Sequence, residues 1–146
     1  MNVYMKVVLD EGAFLPERAH PTDAGLDLRS PVNALVRAGG SAVIHTGVHV
    51  QIPSGTSYQG FAGQIMSKSG LNINHDITAT GLIDEGYTGE IVVKLFNHGH
   101  DDYMVFSGDK IAQLVITPAL YAIPMQVDGP LPETARGDNG FGSTGR

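Results

Sequence analysis

Cysteine is absent from this chain of 146 residues. Its absence excludes disulfide bonds, thiolate catalysis and the usual cysteine-ligated zinc sites, although it leaves the redox compartment undetermined. Basic side chains are scarce as well, because nine Lys and Arg residues face fifteen Asp and Glu residues and the net charge is -6. We therefore expect no general attraction to nucleic acid or to an anionic membrane surface. An anionic ligand would need a local basic site or a metal ion.

Long hydrophobic runs are also missing. No stretch approaches the length of a membrane span, and the beginning of the chain, which includes Lys6, holds no apolar run long enough for a signal peptide. These absences favour a soluble cytoplasmic protein, or one of the host cytoplasm if the source is a phage or a virus. Helical periodicity is equally scarce, and the nearest candidate for a helix is a single turn that begins at Ser69.

Glycine and proline, in contrast, are plentiful. Nineteen Gly and eight Pro residues divide the chain into many short pieces. Several pieces alternate in hydrophobicity as β-strands do, most clearly at residues 48–52 and 91–96. At this length we expect one domain, and the pattern predicts an all-β sandwich, jelly roll or barrel. Further strand-like runs cover residues 3–9, 26–29, 42–45, 58–66, 103–106, 111–117 and 121–127.

The last eleven residues, 136–146, have no hydrophobic periodicity. Their glycines leave backbone amides free to wrap an anion, while Ser143 and Thr144 add hydroxyl donors and Arg136 adds positive charge. This set of groups suits a nucleoside polyphosphate. A frayed terminus is the alternative. Phe141 argues against it, because a solvated tail gains nothing from a lone aromatic ring among glycines and hydroxyls.

A turn-forming segment at residues 81–90 lies between two strand-like runs. As structure alone it is a hairpin whose turn contains Asp84, Glu85 and Gly86. A functional interpretation adds a pocket, in which the small residues Thr80 and Gly81 let a flat base approach backbone groups that read a pyrimidine edge. Asp84 would then be an ionised carboxylate that orients and deprotonates a water molecule.

Other segments are ambiguous when each is taken alone. Residues 67–71 form either a polar loop that caps a short turn or a phosphate site built from a serine hydroxyl and Lys68. Asp27, at the start of a strand, could be a solvated charge or a partner for Lys68. His98 and His100 lie beside two aspartates, where a polar hairpin tip explains them better than a metal site does.

The order of these segments is more specific than any one of them. The chain carries, in sequence, Ala-Gly-Leu-Asp-Leu at 24–28, Ser-Lys-Ser-Gly-Leu at 67–71, Gly-Leu-Ile-Asp-Glu-Gly-Tyr-Thr-Gly-Glu at 81–90, Gly-Asp-Lys-Ile-Ala-Gln-Leu at 108–114, and Arg-Gly-Asp-Asn-Gly-Phe-Gly-Ser-Thr-Gly at 136–145. Together these segments closely resemble the five-motif signature of the trimeric dUTP pyrophosphatases, or dUTPases. The resemblance spans nearly the whole chain.

This resemblance implies an all-β jelly-roll domain, a distorted β-barrel of the β-clip type, at residues 1–135, followed by a flexible arm at 136–146 that closes over the active site. It also implies a homotrimer with three active sites at subunit interfaces. The implied reaction is hydrolysis of dUTP to dUMP and pyrophosphate by attack of water on the α-phosphorus. Mg²⁺ would be held through the substrate phosphates, with no direct protein ligand. Such an activity limits uracil incorporation into DNA and supplies dUMP for dTMP synthesis.

The resemblance also assigns roles by position. Asp84 would be the water-activating carboxylate, and the Tyr87 ring would pack under the deoxyribose. Leu82, Ile83 and the backbone near Thr78 would read uracil. The remaining assignments surround the triphosphate: Ser69, Gly70 and Gln113 in contact with phosphate, Lys68 at the edge of that site, Arg136 on the γ-phosphate, Asp27 organising the phosphate and metal region, Phe141 closing over the base, and Gly142, Ser143 and Thr144 clamping the triphosphate.

Two segments depart from the family pattern. Ser67 and Lys68 replace the usual Pro-Arg, so a point charge takes the place of a planar bidentate fork. Gly86 stands where an acidic residue is common, and glycine there also occurs in the related dCTP deaminases. Their catalytic glutamate, however, falls at Lys94, which cannot supply a carboxylate. A dCTP deaminase-related enzyme and a non-catalytic protein that senses dUTP are the alternatives to a dUTPase.

Overall fold

The computed structural model describes residues 4–138, and strands dominate this part of the chain. One helix, α1 (Ser69–His75), lies between the fifth and sixth strands. The prediction of an all-β fold is confirmed. The strands are β1 (Lys6–Leu9), β2 (Gly25–Arg29), β3 (Ala34–Val36), β4 (Ser41–Gln51), β5 (Gln59–Ser67), β6 (Ile77–Ile83), β7 (Glu90–Asn97), β8 (Tyr103–Val105) and β9 (Lys110–Leu120).

Seven strands form one curled antiparallel sheet in the order β1-β4-β7-β6-β5-β9-β2. β6 changes its partner along its length, because residues 77–79 pair with β7 whereas residues 80–83 pair with β5. β6 therefore joins the two halves of the sheet. β3 and β8 form a separate two-stranded ribbon.

Alternation along the strands builds the core. On β7, Ile91, Val93 and Leu95 are buried, while Val92 and Lys94 are exposed. Burial of one such aliphatic side chain contributes roughly 1.5–3 kcal/mol relative to leaving it in water. The core thereby holds in place the strands that carry the candidate site residues or lead into them. Other strands contribute Leu28, Val36, Ile44, Val48, Val50, Ile65, Ile77, Ile111 and Leu114 to the same core.

β4 is longer than the sequence predicted, because it joins the run at 42–45 to most of the run at 48–52. Gly47 has a φ of 66°, and the register against β7 shifts between His45 and His49. Such an irregularity interrupts the side-chain alternation while the strand continues beyond it. The strand therefore appears as two pieces in the sequence pattern and as one in the fold.

The prediction of a strand at residues 121–127 is wrong. β9 ends at Leu120, and residues 121–138 form no strand and are exposed. A strand needs a hydrogen-bonded neighbour as well as alternation, and the described chain offers this segment none. The alternating apolar side chains left exposed by the missing neighbour are Tyr121, Ile123, Met125 and Val127.

Helix α1 begins at Ser69, as predicted, but it has seven residues rather than a single turn. Lys68 occupies the N-cap position, and no described side chain forms a capping hydrogen bond there. Ser69 is therefore the first helical residue and not a cap. Asp76 ends the helix in the left-handed conformation with a φ of 55°.

Two short strands also differ from the predictions. β3 was missed, because three residues are too few to display an alternating pattern. β1 begins at Lys6 rather than at residue 3, which lies outside the described residues.

Candidate active site

A buried carboxylate lies at the centre of one cluster of predicted site residues. Asp27 is on β2, only 6% exposed, in register with Gln113 on β9. Lys68 Nζ lies 2.5 Å from Asp27 Oδ1, and Lys110 Nζ lies 2.6 Å from Asp27 Oδ2. Each carboxylate oxygen therefore has its own ammonium partner. Of the two alternatives for Asp27, the solvated charge is wrong and the partner for Lys68 is confirmed.

The two lysines keep this carboxylate ionised. Burial raises the pKa of Asp27, but the hydrogen bonds and positive charges of Lys110 and Lys68 outweigh burial, so the pKa lies below its ordinary value. Both lysines also reach solvent, since their side chains are 27% and 37% exposed. Two cations beside one anion leave an excess of positive charge near the surface, which can attract an anion such as phosphate.

Gln113 and Ser67 tie the neighbouring strands together beside this cluster. Gln113 donates from Nε2 to the carbonyl oxygen of Ser67 at 3.0 Å. The Ser67 hydroxyl donates to the carbonyl oxygen of Ala79 at 3.1 Å and accepts from the Ala79 N–H at 2.9 Å. Gln113 also crosses close to Gly25, where a Cβ would lie 2.3 Å from Gln113 Oε1. The predicted site residues on β2 and β9 and those that directly follow β5 are therefore held in one framework.

Ser69 and Gly70 follow this framework directly, at the exposed start of α1. A Cβ built at Gly70 would meet nothing within 4 Å, so the space above it is open to a ligand. The structure thus brings together Asp27, Lys68, Ser69, Gly70 and Gln113, five of the residues that the sequence placed around phosphate.

The turn that carries Asp84 follows β6. The Tyr87 N–H donates to the Asp84 carbonyl oxygen at 3.0 Å, which closes a β-turn over residues 84–87. The Tyr87 hydroxyl donates to the carbonyl oxygen of Glu90 at 2.9 Å and holds the ring beside the turn. Asp84 is exposed. A shallow hollow of about 250 Å³ lies next to it, lined by Leu82, Ile83, Asp84, Tyr87, Glu90 and Val92.

A larger hollow, of about 470 Å³, lies elsewhere and contains none of the predicted site residues. Arg18 is the one charged side chain in its lining, which is otherwise mainly apolar and includes Met5, Leu26 and Phe61. Since that lining offers no carboxylate, it does not suit proton transfer. The smaller hollow, where Asp84 is exposed, is therefore the candidate active site.

Thr78 lies on β6, near the end opposite to Asp84. Its Oγ1 is 2.8 Å from Nε2 of His98, so its hydroxyl contacts a side chain that the sequence did not assign to the site. Between Thr78 and Asp84, β6 changes its partner at Thr80, within the stretch of small residues that the sequence singled out.

The Asp84 turn lies beside the middle of β5, whereas the Asp27 cluster lies at the C-terminal end of that strand. Ile83, next to Asp84, pairs with Gly63, whereas Lys68 directly follows the last residue of the strand. An extended chain rises about 3.3 Å per residue, which places roughly 15–20 Å between these two points. One chain therefore presents the two halves of the predicted site at separate places.

The rest of the predicted site falls at the end of the chain. Arg136 is exposed within residues 121–138. The other predicted residues of the arm, Phe141, Gly142, Ser143 and Thr144, lie outside the described residues.

Comparison with known proteins decides the family. A profile described as dUTPase matches residues 11–145, which contain all of the recognised motifs. The chain belongs to the dUTPase family. Sequence relatives of this dUTPase agree: deoxyuridine 5'-triphosphate nucleotidohydrolase of Clostridium acetobutylicum is 44% identical over 99% of this chain and 97% of its own. The protein of the same name from Trichodesmium erythraeum is 45% identical over 94% of each chain.

Solved dUTPase structures share the fold. The dUTPase of Staphylococcus bacteriophage 80alpha with dUPNHPP matches with a TM-score of 0.87 at 30% identity, covering 98% of this chain and 99% of its own. A variant dUTPase of phage phi11 of S. aureus, which coordinates a structural Mg(II) ion, has a TM-score of 0.76 at 30% identity, covering 86% of this chain and 97% of its own. The jelly-roll, β-clip fold expected of this dUTPase is therefore confirmed.

Sequence reasoning did not identify the contacts of two side chains near the candidate site of this dUTPase. Lys110 lies in the recognised segment at 108–114, but only the fold reveals that it shares the Asp27 carboxylate. Glu85 was assigned to a turn only, yet its carboxylate accepts three hydrogen bonds. Their position inside recognised motifs was the one available signal.

Among the described residues of this dUTPase, the structure contains no helix with the length and apolar character needed to cross a membrane.

Proposed function

We propose that this chain hydrolyses dUTP to dUMP and pyrophosphate, with Mg²⁺, in sites formed between the subunits of a homotrimer. The observation that carries the proposal is that the chain has both an exposed carboxylate, Asp84, beside a shallow hollow and a separate, positively charged cluster around Asp27. Phosphoryl transfer needs both, because a water must be oriented while charge develops on the phosphate oxygens. The family of the chain agrees with this chemistry.

In the proposed reaction, Asp84 holds a water molecule in line with the α-phosphorus and accepts its proton. The carboxylate suits this role because it is exposed beside the Tyr87 ring, in a hollow that Leu82 and Ile83 also line. Tyr87 packs under the deoxyribose, and Leu82, Ile83 and the backbone near Thr78 contact the uracil. The water attacks, the bond to the pyrophosphate leaving group breaks, and dUMP remains.

The triphosphate lies against the cluster on the other side of the site. Lys68, Ser69, Gly70 and Gln113 contact phosphate oxygens, and Asp27 holds the lysines in place. Arg136 binds the γ-phosphate. From the arm, Phe141 covers the base and Gly142, Ser143 and Thr144 surround the triphosphate, which excludes water and commits the substrate.

Mg²⁺ fits this site through the phosphates rather than through a protein carboxylate. Both oxygens of Asp27 already face ammonium groups, a donor set that does not favour direct coordination of a hard cation. When bound to the triphosphate, Mg²⁺ neutralises phosphate charge. A cytoplasmic location, where a nucleotide pool is available, remains a prediction.

Base and sugar selection follow from close packing. Once neighbouring subunits enclose the hollow, a thymine methyl group would overpack it at about 1–3 kcal/mol, and cytosine would leave enclosed amide groups unpaired at roughly 1–3 kcal/mol. A ribose hydroxyl against the Tyr87 ring loses its water at about 1–3 kcal/mol. Since 1.4 kcal/mol corresponds to about tenfold, each mismatch lowers kcat/KM about ten- to a hundredfold.

The homotrimer brings the two halves of the site together. The roughly 15–20 Å along β5 between Asp84 and Lys68 is too far for one α-phosphate to meet both, so the Asp84 turn of one subunit would face the phosphate cluster of another. Exposed apolar side chains after β9, such as Ile123 at 91% and Met125 at 81%, also favour contact between subunits.

The deciding experiment incubates the purified protein and Mg²⁺ with dUTP, dTTP, dCTP and UTP, and measures pyrophosphate and ammonia separately. We expect pyrophosphate from dUTP at a kcat/KM at least tenfold above that of the other nucleotides. If the protein binds dUTP tightly but releases no pyrophosphate, it is a non-catalytic dUTP sensor and not an enzyme. Ammonia from dCTP would identify a deaminase instead.

Removal of residues 136–146 tests the arm. We expect the truncated chain to keep its thermal stability, because the core lies within the strands that end at Leu120. Its turnover of dUTP should fall at least tenfold, because Arg136 and the four arm residues are lost. Full turnover in the truncated chain would refute the arm as a lid.

A further inference from the structure

Glu85, the neighbour of Asp84, forms a junction between separate parts of the chain. Its Oε1 accepts the N–H of Gly55 at 3.0 Å. Its Oε2 accepts the N–H of Phe61 at 3.2 Å and the hydroxyl of Tyr121 at 2.6 Å. One carboxylate therefore joins the loop before β5, the start of β5 and the end of β9 to the turn after β6.

This junction is packed without spare room. A Cβ at Gly60 would lie 2.1 Å from Glu85 Oε2 and 2.1 Å from the Tyr121 hydroxyl oxygen. The Tyr121 N–H also donates to the Tyr58 carbonyl oxygen at 3.0 Å. Tyr121 is thus anchored through both its backbone and its side chain, and the carboxylate is anchored by three donors.

The protonation states of Glu85 and Tyr121 suit this geometry. The Tyr121 hydrogen bond, with those from Gly55 and Phe61, lowers the pKa of the Glu85 carboxyl. The hydrogen bond to Glu85 also raises the pKa of the Tyr121 hydroxyl. Near neutral pH the acceptor is ionised and the donor keeps its proton, as the hydrogen bond requires.

Besides Glu85, the turn is held by hydrogen bonds of Tyr87, whose hydroxyl donates to the Glu90 carbonyl oxygen. One backbone hydrogen bond, from Tyr87 to Asp84, closes it, and Glu85 and Gly86 are its two central residues. Within residues 4–138 we find no hydrogen bond from a side chain to the Asp84 carboxylate. Its position therefore depends on the backbone of the turn, and a misplacement of about 1 Å can cost about a hundredfold in rate.

We propose that Glu85 is a positioning residue for Asp84, which it holds in place by fastening the turn to Gly55, Phe61 and Tyr121. This proposal rests on the proposed function only where it concerns turnover. The anchoring of the turn is a property of the free protein and can be measured without a nucleotide.

The first test measures steady-state kinetics of Glu85→Ala and Tyr121→Phe with dUTP, together with the melting temperature. We expect Glu85→Ala to lower kcat ten- to a hundredfold and to change KM less than threefold, because binding groups elsewhere are intact. Tyr121→Phe removes one of the three donors and should lower kcat less. Glu85→Gln, which keeps an acceptor, should recover part of the loss.

Matched controls separate positioning from general damage. Glu11→Ala removes an exposed glutamate from another turn, and Tyr58→Phe removes the hydroxyl of an exposed tyrosine that contributes only its carbonyl to the junction. Both should keep the parental kcat. If kcat of Glu85→Ala equals that of the parent, or falls only in proportion to a loss of folded protein, the proposal is wrong.

Hydrogen exchange read by mass spectrometry, without nucleotide, gives the second test. We expect faster exchange in Glu85→Ala for the peptide that contains residues 84–87, with exchange in the β7 core unchanged. Unchanged exchange at the turn would overturn the proposal even if the protein were inactive on dUTP. Conversely, if the parent does not hydrolyse dUTP but Glu85→Ala still exchanges faster than the parent at residues 84–87, the proposed function alone is wrong.

Discussion

At the scale of single residues, the same side chain type performs opposite tasks in this dUTPase. Asp27 is 6% exposed and pairs with two lysines, so near neutral pH it stays ionised and holds the two ammonium groups in place. Asp84 is exposed on a turn, where it can hold a water molecule. Environment, rather than residue type, separates the structural carboxylate from the proposed base.

The role of Asp84 predicts a separation of binding from turnover. Asp84→Asn should lower kcat for dUTP by about 10²–10⁴-fold, the usual contribution of a general base. Binding of a non-hydrolysable dUTP analogue, measured by calorimetry, should change less than threefold, because the amide has almost the same shape. Asp101→Asn, the same substitution on an exposed turn after the other end of β7, should have the parental kcat. If Asp84→Asn has the parental kcat, Asp84 is not the general base.

The lowered pKa of Asp27 predicts a pH dependence of stability. Its folded-state pKa lies below the unfolded value, so its contribution to stability is present above about pH 4 and disappears as the pH falls through the folded pKa. Asp27→Asn should lower the free energy of unfolding by about 1–3 kcal/mol at pH 7. This difference between parent and variant should shrink as the pH falls below about 4. Urea denaturation at a fixed protein concentration measures it, and a difference that is constant with pH would contradict the ion-pair explanation.

At the scale of elements, most of the proposed site residues lie at strand ends and turns, whereas Asp27 and Gln113 lie inside β2 and β9 beside the core. Helix α1 connects β5 to β6, with Lys68 as its N-cap and Asp76 as its C-cap. Asp76 is the one non-glycine residue with a positive φ among residues 4–138. An L-residue in that conformation is strained relative to glycine, so the end of α1 is a point where stability can be gained.

Asp76→Gly should therefore stabilise the protein by about 0.5–1 kcal/mol, since glycine adopts the left-handed conformation without steric cost. Asn74→Gly, two residues earlier on the exposed face of the helix, should destabilise it by a few tenths of a kcal/mol, roughly the difference in helix propensity. Thermal melts of both variants at one protein concentration test the pair. If both variants shift the melting temperature equally and in the same direction, the capping argument is wrong.

At the scale of the whole molecule, the separation between the Asp84 turn and the Asp27 cluster is the main argument for a site shared between subunits. The proposed homotrimer predicts a mass in solution of three times the 15.4 kDa chain. It also predicts that two inactive chains can repair each other, because each supplies the half that the other lacks.

Asp84→Asn and Lys68→Gln variants, each slow alone, should regain activity when they are unfolded together and refolded as mixed trimers. With random mixing, about one site in four combines the intact Lys68 of one chain with the intact Asp84 of another, so we expect roughly a quarter of the parental kcat. Separately refolded variants that are then assayed together provide the control. No gain in the mixed trimers would mean that each site is formed by one chain.

Much of this protein is determined by its sequence alone, because the relevant physics is local. The alternation of Ile91, Val93 and Leu95 identifies β7 without knowledge of its neighbours, and the acidic residue and glycine after Ile83 identify a turn. The order of the five motifs was enough to recognise the family. All of these signals act between residues that are close in sequence.

Tertiary structure decided what depends on neighbours brought in from far along the chain. Asp27 could have been solvated or paired, and the pairing of β2, β9 and β5 gave it Lys110 as well as Lys68. Residues 121–127 alternate like a strand but form none, since no partner strand lies beside them in the described chain. The Glu85 carboxylate meets Tyr121 only because β5 and β9 run together. Alternation and motif order are local properties, whereas burial, charge pairing and strand partners exist only after distant segments meet.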